Sequence, residues 1–557
     1  HWADEASVEL LVPVAATIRT LPVLWVIASR SEREVPGYRF HAAAAEAFGE
    51  ALIELRLEPL APADGSRLVA NLLEIETLPT RTRTTILERA EGNPFFVEEI
   101  IRTLIDEGAI APRGDRWVAT ERATEVEIPQ TLHGLLLGRI DRLPAEARQV
   151  LRVASVIGRS FTLGVLERVV ATDAAEVGLG PRLALLEGAG LVTVASAAPE
   201  LEYAFRHALI NDAAYESVLR QERQRLHADV AEALLQLYPE RSGELAPVLA
   251  HHFERAGDHE RALEQLIVAA RGARARFARH EAVDFAERAL ALLPGGEEID
   301  DEQRRLRGEL RQLWSAAGVD FEPLANTLAA LALVVADADA LGDTTMAARA
   351  QLLAVRARSL GGEQYRSSPE LVSTLERARA LAERSGSPEL VAMALLATAE
   401  TRYAASEFGP TIELFERAIP ALVETEQLLD AAVAAGFLGT AYGHVGEFER
   451  AIEWTDRAYR LGVDSGDPNA SLDADLARAI IEGIRGDTGT SIEYATKAAN
   501  VAEQVDNKAC AMVAHSVIGE QHLRTGDAAQ ATIAFEASAD LAAFCQFMPV
   551  KVEQTEL

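Results

Sequence analysis

Apolar residues along this chain recur in three patterns, continuous, helical and alternating, and each predicts a different element. Residues 22–28 (PVLWVIA) form a continuous apolar run between Arg19 and Ser29-Arg30, the pattern of a parallel strand buried on both faces. The amphipathic run Ser7 to Thr20 reads as its crossover helix, and Ile53 to Leu57 as a second strand. Two strands do not make a doubly wound sheet, so the remaining strands are expected upstream or in a partner. From Ala63 to about Gly108, Leu and Ile recur at helical spacing, followed by a small hairpin with Gly114 at its turn and Trp117 after it. Pro129 opens another helical group. LVTVA and LEYAF then alternate around Ser196 to Pro199, a second hairpin; helices closed by such a hairpin make a winged helix. From Glu244 onward the pattern is helical to the end.

The last region repeats. Small residues recur every 40 positions at Ala399, Gly439, Ala479 and Gly519. Twelve residues after each stand Thr411, Ala451, Ser491 and Ala531, and seven further on Ala418, Ala458, Ala498 and Ser538. The register extends back to Ser359 and Ala378, with Leu371 breaking the small-residue rule. Helices approach closely where side chains are short. The offsets match the tetratricopeptide repeat (TPR) pattern, with helices and connectors lengthened beyond the usual ~34 residues. The sets Ala250/Ala262/Ala269 and Ala270/Ala282/Ala289 share these offsets but lie too close for two repeats, so three helices with a shared middle one are expected, stopped by Pro294.

Composition narrows the function. A chain of 557 residues accommodates three or four domains, or fewer plus a repeat array. Its net charge of -32 argues against nucleic acid and against an anionic membrane surface as main partners. Lysine occurs only at 497, 508 and 551. Cys510 and Cys545 form no CxxC pair, which fits a reducing cytosol. Residues 21–28, read as the most apolar stretch, are too short to span a bilayer. A soluble cytoplasmic protein is expected.

Three motifs stand out. In Glu91-Gly92-Asn93-Pro94-Phe95-Phe96-Val97-Glu98-Glu99, Gly92 and Asn93 punctuate a helix end and Pro94 suits the first turn of the next helix. This fragment closely resembles the lid motif of signal-transduction ATPases with numerous domains, the STAND class of P-loop ATPases; by that resemblance Pro94 packs on an adenine ring. Arg30 ends the first apolar run. On its residues alone it is a solvated loop residue; the resemblance makes it the sensor arginine, reaching a phosphate beyond the carboxyl end of the strand. Tyr203 to Asp212 (YAFRHALIND) resembles the Met-His-Asp motif of related ATPases, whose histidine contacts the β-phosphate of ADP. His207 matches that histidine, whereas Ala208 replaces the acid and leaves the acid's role unfilled. A neutral imidazole at a helix start still donates to a phosphate; the other reading is a structural histidine packed under the wing.

His1-Trp2-Ala3-Asp4 resembles the segment after the Walker B aspartates. The chain contains no GxxxxGK[ST] and no lysine before Lys497, so the amides, lysine and Mg²⁺ acid that stabilise phosphoryl transfer are missing from it. His251-His252 with Glu254 and His259 looks metal-like, but adjacent histidines point to different helix faces. DNA contact by the winged helix is disfavoured because acids match or outnumber its arginines.

The expected architecture is mainly α: residues 1–60 an α/β remnant of the nucleotide-binding domain, 61–125 a helical lid, 126–240 a winged helix and 241–557 TPR-like repeats. The resemblance implies the sensing and gating part of a large bacterial regulator. ATP or ADP, with Mg in the intact protein, would be held by Arg30, Gly92, Asn93, Pro94 and His207, and a protein or small effector would bind the repeats. The intact protein would be an ATPase, of a group whose members join such parts to a class III cyclase or a LuxR-type helix-turn-helix; it would form a nucleotide-dependent oligomer. The alternative is a nucleotide-independent TPR scaffold.

Overall fold

The computed structural model describes residues 52–545 except 74–77, 114–115, 125–127, 171–177, 295–298, 320, 361–368 and 468–470, together with residues 11, 23–28, 41 and 44. These divide into two compact units, one of residues 53–265 and one that includes residues from 266 onward.

The first unit begins with helices α1 (Pro62–Leu73), α2 (Thr80–Ala90) and α3 (Pro94–Asp106), then the strands β1 (Ile110–Arg113) and β2 (Arg116–Ala119). The expected hairpin is present, with Pro112 opposite Trp117; its turn, with Gly114, lies outside the described residues. Val69, Ile86, Phe96, Ile100 and Leu104 make the core of these helices. Burying such side chains contributes about 1.5–3 kcal/mol each.

Next come α4 (Leu132–Asp141), α5 (Ala145–Ile157), β3 (Ser160–Thr162), α6 (Leu163–Val170), α7 (Leu179–Gly188), β4 (Val192–Ser196) and β5 (Glu202–Phe205). The sequence pattern announced β4 and β5. It did not announce β3, whose three residues are too few to show alternation. The strand order is β3-β5-β4, all antiparallel. Helices α8 (Ala208–Glu216), α9 (Arg220–Leu237) and α10 (Ser242–Ala256) follow.

The two apolar runs expected as buried strands are not strands. Among the described residues neither 23–28 nor 53–57 belongs to a sheet, and Leu24, Val26 and Leu57 are 87%, 87% and 95% exposed. A strand exists only through the ladder it makes with a neighbour. With no described strand laddered alongside, an apolar run makes no strand of its own.

From His259 onward the described elements are helices: α11 (His259–Ala275), α12 (Arg279–Leu292), α13 (Asp301–Gly318), α14 (Leu324–Leu341) and α15 (Thr344–Leu360). After them come α16 (Pro369–Ser385), α17 (Pro388–Ala404), α18 (Phe408–Glu424), α19 (Leu428–His444) and α20 (Phe448–Ser465). The last are α21 (Ser471–Arg485), α22 (Thr488–Gln504), α23 (Lys508–Thr525) and α24 (Ala528–Cys545). The fold is mainly α, ending in a TPR-like helical repeat array.

The small-residue register explains the packing. Ala399, Gly439, Ala479 and Gly519 lie on the first helix of each pair, and Thr411, Ala451, Ser491 and Ala531 on the second. A Cβ on Gly439 would meet the Ala451 carbonyl oxygen at 2.9 Å and Thr455 Cγ2 at 3.1 Å. Where serine replaces alanine its hydroxyl is used: Ser491 Oγ donates to Ala479 O (2.7 Å) and Ser538 Oγ to Met512 O (2.9 Å). First helices also pack on the first helix of the next pair, α15 on α17 and α19 on α21. The helices 242–256, 259–275 and 279–292 carry the earlier alanine sets on three helices as expected.

One apolar helix escaped the sequence reading. Among the described residues α14 alone is long and apolar enough to cross a membrane by composition, with mean hydropathy 1.6 and a third of its window buried. Its Asp337 is buried and takes ion pairs from Arg304, Arg307 and Arg311 of α13, the contact expected of a helix packed inside a repeat pair.

Candidate functional site

Between α2 and α3 the chain reverses over Glu91 (φ 46°) and Gly92 (φ 79°). Gly92 O accepts from Leu60 N at 2.8 Å, and a Cβ at 92 would lie 2.7 Å from Leu60 O. Only glycine combines this φ with this approach. Asn93 then caps α3, its Oδ1 accepting from Phe95 N (3.0 Å) and Phe96 N (3.3 Å), and Pro94 takes the first helical position. Asn93 and Pro94 are exposed. The polar atoms of Gly92 and Asn93 therefore shape the turn, while the Pro94 ring is open to a flat partner.

The second motif arrives from β5. His207 is the N-cap of α8, its Nδ1 accepting from Leu209 N at 3.2 Å. That bond places the ring proton on Nε2, leaving a donor at a helix N-terminus. Burial lowers the His207 pKa, against the opposing charges of Glu99 and Asp212, so the ring is neutral at pH 7. Its face stacks on Phe95 at 3.9 Å between centroids and 11° between planes. The Gly92–Pro94 turn and the histidine motif, more than a hundred residues apart in sequence, thus meet at one place.

Beneath this stack Glu99 and Arg139, 2% and 6% exposed, form an ion pair. Arg139 Nη2 also donates to Ala189 O at 2.6 Å, tying α3, α4 and the end of α7 together. Sequence reasoning quoted Glu99 without giving it a role and did not single out Arg139. The available signal was Glu99 itself, a carboxylate amid Phe96, Val97, Ile100 and Ile101 on the buried face; such a charge requires a partner. Arg30 and His1 to Asp4 lie outside the described residues.

The metal-like histidines resolve differently. His252 turns inward and its Nδ1 lies 2.8 Å from His227 Nδ1, while His227 Nε2 is 3.0 Å from the Tyr215 hydroxyl. Burial pushes His252 down to about 3 and His227 to about 4. Two ring nitrogens bonded to each other do not converge on an ion, and the described residues hold no cluster of three ligands.

In the repeat array Arg356 joins two carboxylates. Its guanidinium forks onto Glu400 (Nε to Oε2 3.0 Å, Nη2 to Oε1 3.1 Å) and reaches Asp430 at 2.7 Å. These residues sit on three successive first helices, α15, α17 and α19.

Comparison with known proteins places parts of the chain. Residues 63–116 match the model of a domain of unknown function (DUF8739). An uncharacterized protein of Rhizobium meliloti (strain 1021) is 32% identical over 298 residues, which are 52% of this chain and 27% of that protein. The chain thus matches under a third of that relative's length. A hybrid signal transduction histidine kinase G of Dictyostelium discoideum is 32% identical over 84 residues, 14% of this chain and 2% of that protein. Among solved structures, a STAND protein with a tetratricopeptide repeat sensor from Pyrococcus horikoshii is similar at 12% identity, covering 89% of this chain and 75% of that one (TM-score 0.32). A Rap protein complexed with competence and sporulation factor is similar at 13% identity, covering 61% and 93% (TM-score 0.42).

Proposed function

We infer that this chain is the sensing and gating part of an ATP-binding signal-transduction regulator of the STAND type. In this reading 61–125 is the lid, 126–240 a winged helix, and the repeats bind a protein or peptide effector. The carrying observation is the Phe95–His207 stack, which brings the turn that holds Pro94 beside the His207 ring. Pro94 would pack on adenine, and His207 would donate to a phosphate of ADP in a closed state. An effector that binds only the open state would shift the balance by about 2.7 kcal/mol at a hundred times its Kd.

Arg30 would serve as sensor arginine. The chemistry that Mg²⁺ and a P-loop supply, neutralising the β- and γ-phosphates, has no matching residues in this sequence. A cyclase or LuxR-type output belongs to the same proposal, by resemblance alone.

The second reading, a scaffold that binds no nucleotide, is favoured by the missing GxxxxGK[ST] motif and the lack of lysine before Lys497. Titrating ATP and ADP into this chain separates the two. Micromolar binding lost in His207→Ala supports the switch; no binding, including with the upstream coding sequence added, overturns it.

A further inference from the structure

The 40-residue register lets one contact be compared with its counterparts. Arg356 and Glu400, 44 residues apart, form the bidentate pair between α15 and α17. Steps of 40 place Leu396 before Thr440, Gly436 before Ile480 and Leu476 before Glu520. Charge meets charge at the first of these four places, and neutral meets neutral at the next two. At the fourth, leucine stands where the arginine would, and a carboxylate is left over.

Glu520 is half-buried, and burial raises its pKa against the opposing charge of Arg524. It makes no hydrogen bond or ion pair among the described residues. Arg524, one turn on, directs Nη1 to Gly483 O of α21 at 2.6 Å, so the nearest guanidinium is engaged elsewhere. That contact also shows that this side of α23 faces α21. On the same two helices, α21 and α23, Leu476, Ile480 and Val513 are partly buried, and Leu523 is 38% exposed. A partly buried carboxylate whose nearest guanidinium is bonded elsewhere is short of a counter-charge, and such local violations are expected where a partner completes the site.

We propose that Glu520 is a binding site for a guanidinium or ammonium group on the effector of the repeat array, with Leu476 and its apolar neighbours against the stem of that cation. This rests on the reading of the array as a ligand-binding element. It names the ligand chemistry as a cationic side chain flanked by apolar residues.

The test uses the full chain and a labelled peptide, acetyl-Ala-Leu-Arg-Leu-Ala-amide, beside its citrulline analogue, which keeps the shape without the charge. The arginine peptide is expected to bind at least about tenfold tighter than the citrulline peptide. Glu520→Gln should remove that preference, while Glu449→Gln, an equal charge change on the exposed face of α20, should keep it. Leu476→Arg should supply the missing partner from within, raising Tm and abolishing peptide binding. Equal binding of the two peptides, or a preference that survives Glu520→Gln, overturns the site while leaving the array a ligand binder. No binding of either peptide, with Tm unchanged or lowered in Leu476→Arg, overturns the site and removes its support for the ligand-binding reading.

Discussion

His207 and Phe95 stack at 3.9 Å with their planes 11° apart, so the residue after Pro94 supports the ring that caps α8. Aromatic pairs of this kind contribute about 0.5–1.5 kcal/mol beyond their burial. Phe95→Ala should leave His207 free to turn and weaken ADP binding up to about tenfold, measured by calorimetric titration. An ADP affinity unchanged in both Phe95→Ala and His207→Ala would place the nucleotide elsewhere.

The turn that carries Pro94 depends on Gly92. Gly92→Ala forces a Cβ against Leu60 O at a φ that L side chains rarely adopt. Strain of this kind is on the order of 1–3 kcal/mol. The denaturation midpoint of the first unit should drop accordingly, whereas Gly446→Ala, also at positive φ but with open space around its Cβ, should cost less.

Breaking the Glu99–Arg139 pair should be among the most damaging changes in the first unit. Arg139→Met leaves Glu99 buried with only the long ion pair to Arg102 (3.9 Å), a loss of up to about 3–5 kcal/mol. The double variant Glu99→Gln/Arg139→Met should recover much of it, because no charge is then stranded. Chemical denaturation of both variants checks this, and equal losses in the two would show that the pair is not the source.

The His227–His252 pair predicts an acid-labile contact between α9 and α10. Both folded pKa values, about 4 and about 3, lie below the ordinary histidine value near 6.5. The unfolded chain therefore binds more protons between these limits. The stability is fully present above about pH 6.5 and is lost as pH falls through 4 towards 3. Tm followed from pH 7 to pH 4 should decline, and His252→Phe should flatten the decline. A profile unaltered by that substitution would assign the acid sensitivity to other groups.

In the array, Gly439→Val tests the close approach that the repeat register implies. With Ala451 O only 2.9 Å from a built Cβ, overpacking should cost about 1–3 kcal/mol. Unfolding monitored by circular dichroism should show the loss in the array.

Much of the array was legible in the sequence. Small residues at fixed offsets are a direct consequence of helices touching at fixed points, so Ala399, Gly439 and their counterparts announce both the repeat and its packing. The turn at Gly92-Asn93-Pro94 was legible for the same reason, since each residue has a local backbone task. Less of the site could be read. Glu99 and Arg139 are 40 residues apart on different helices, and no local pattern states that a buried carboxylate will find that guanidinium. The run at 22–28 misled because apolarity records a preference for burial, whereas a strand requires a hydrogen-bonded neighbour.

The sequence by itself determined the helical character, the 40-residue register and the local geometry of the Gly92–Pro94 turn, because these follow from backbone preference and side-chain size acting over a few residues. Only the tertiary structure decided that Phe95 meets His207, that His252 seeks His227 rather than an ion, and that Arg356 serves Glu400 and Asp430 while Glu520 takes no hydrogen bond or ion pair among the described residues. Those outcomes depend on which distant side chains burial brings within a few ångströms, where desolvation requires every charge and polar group to find a partner.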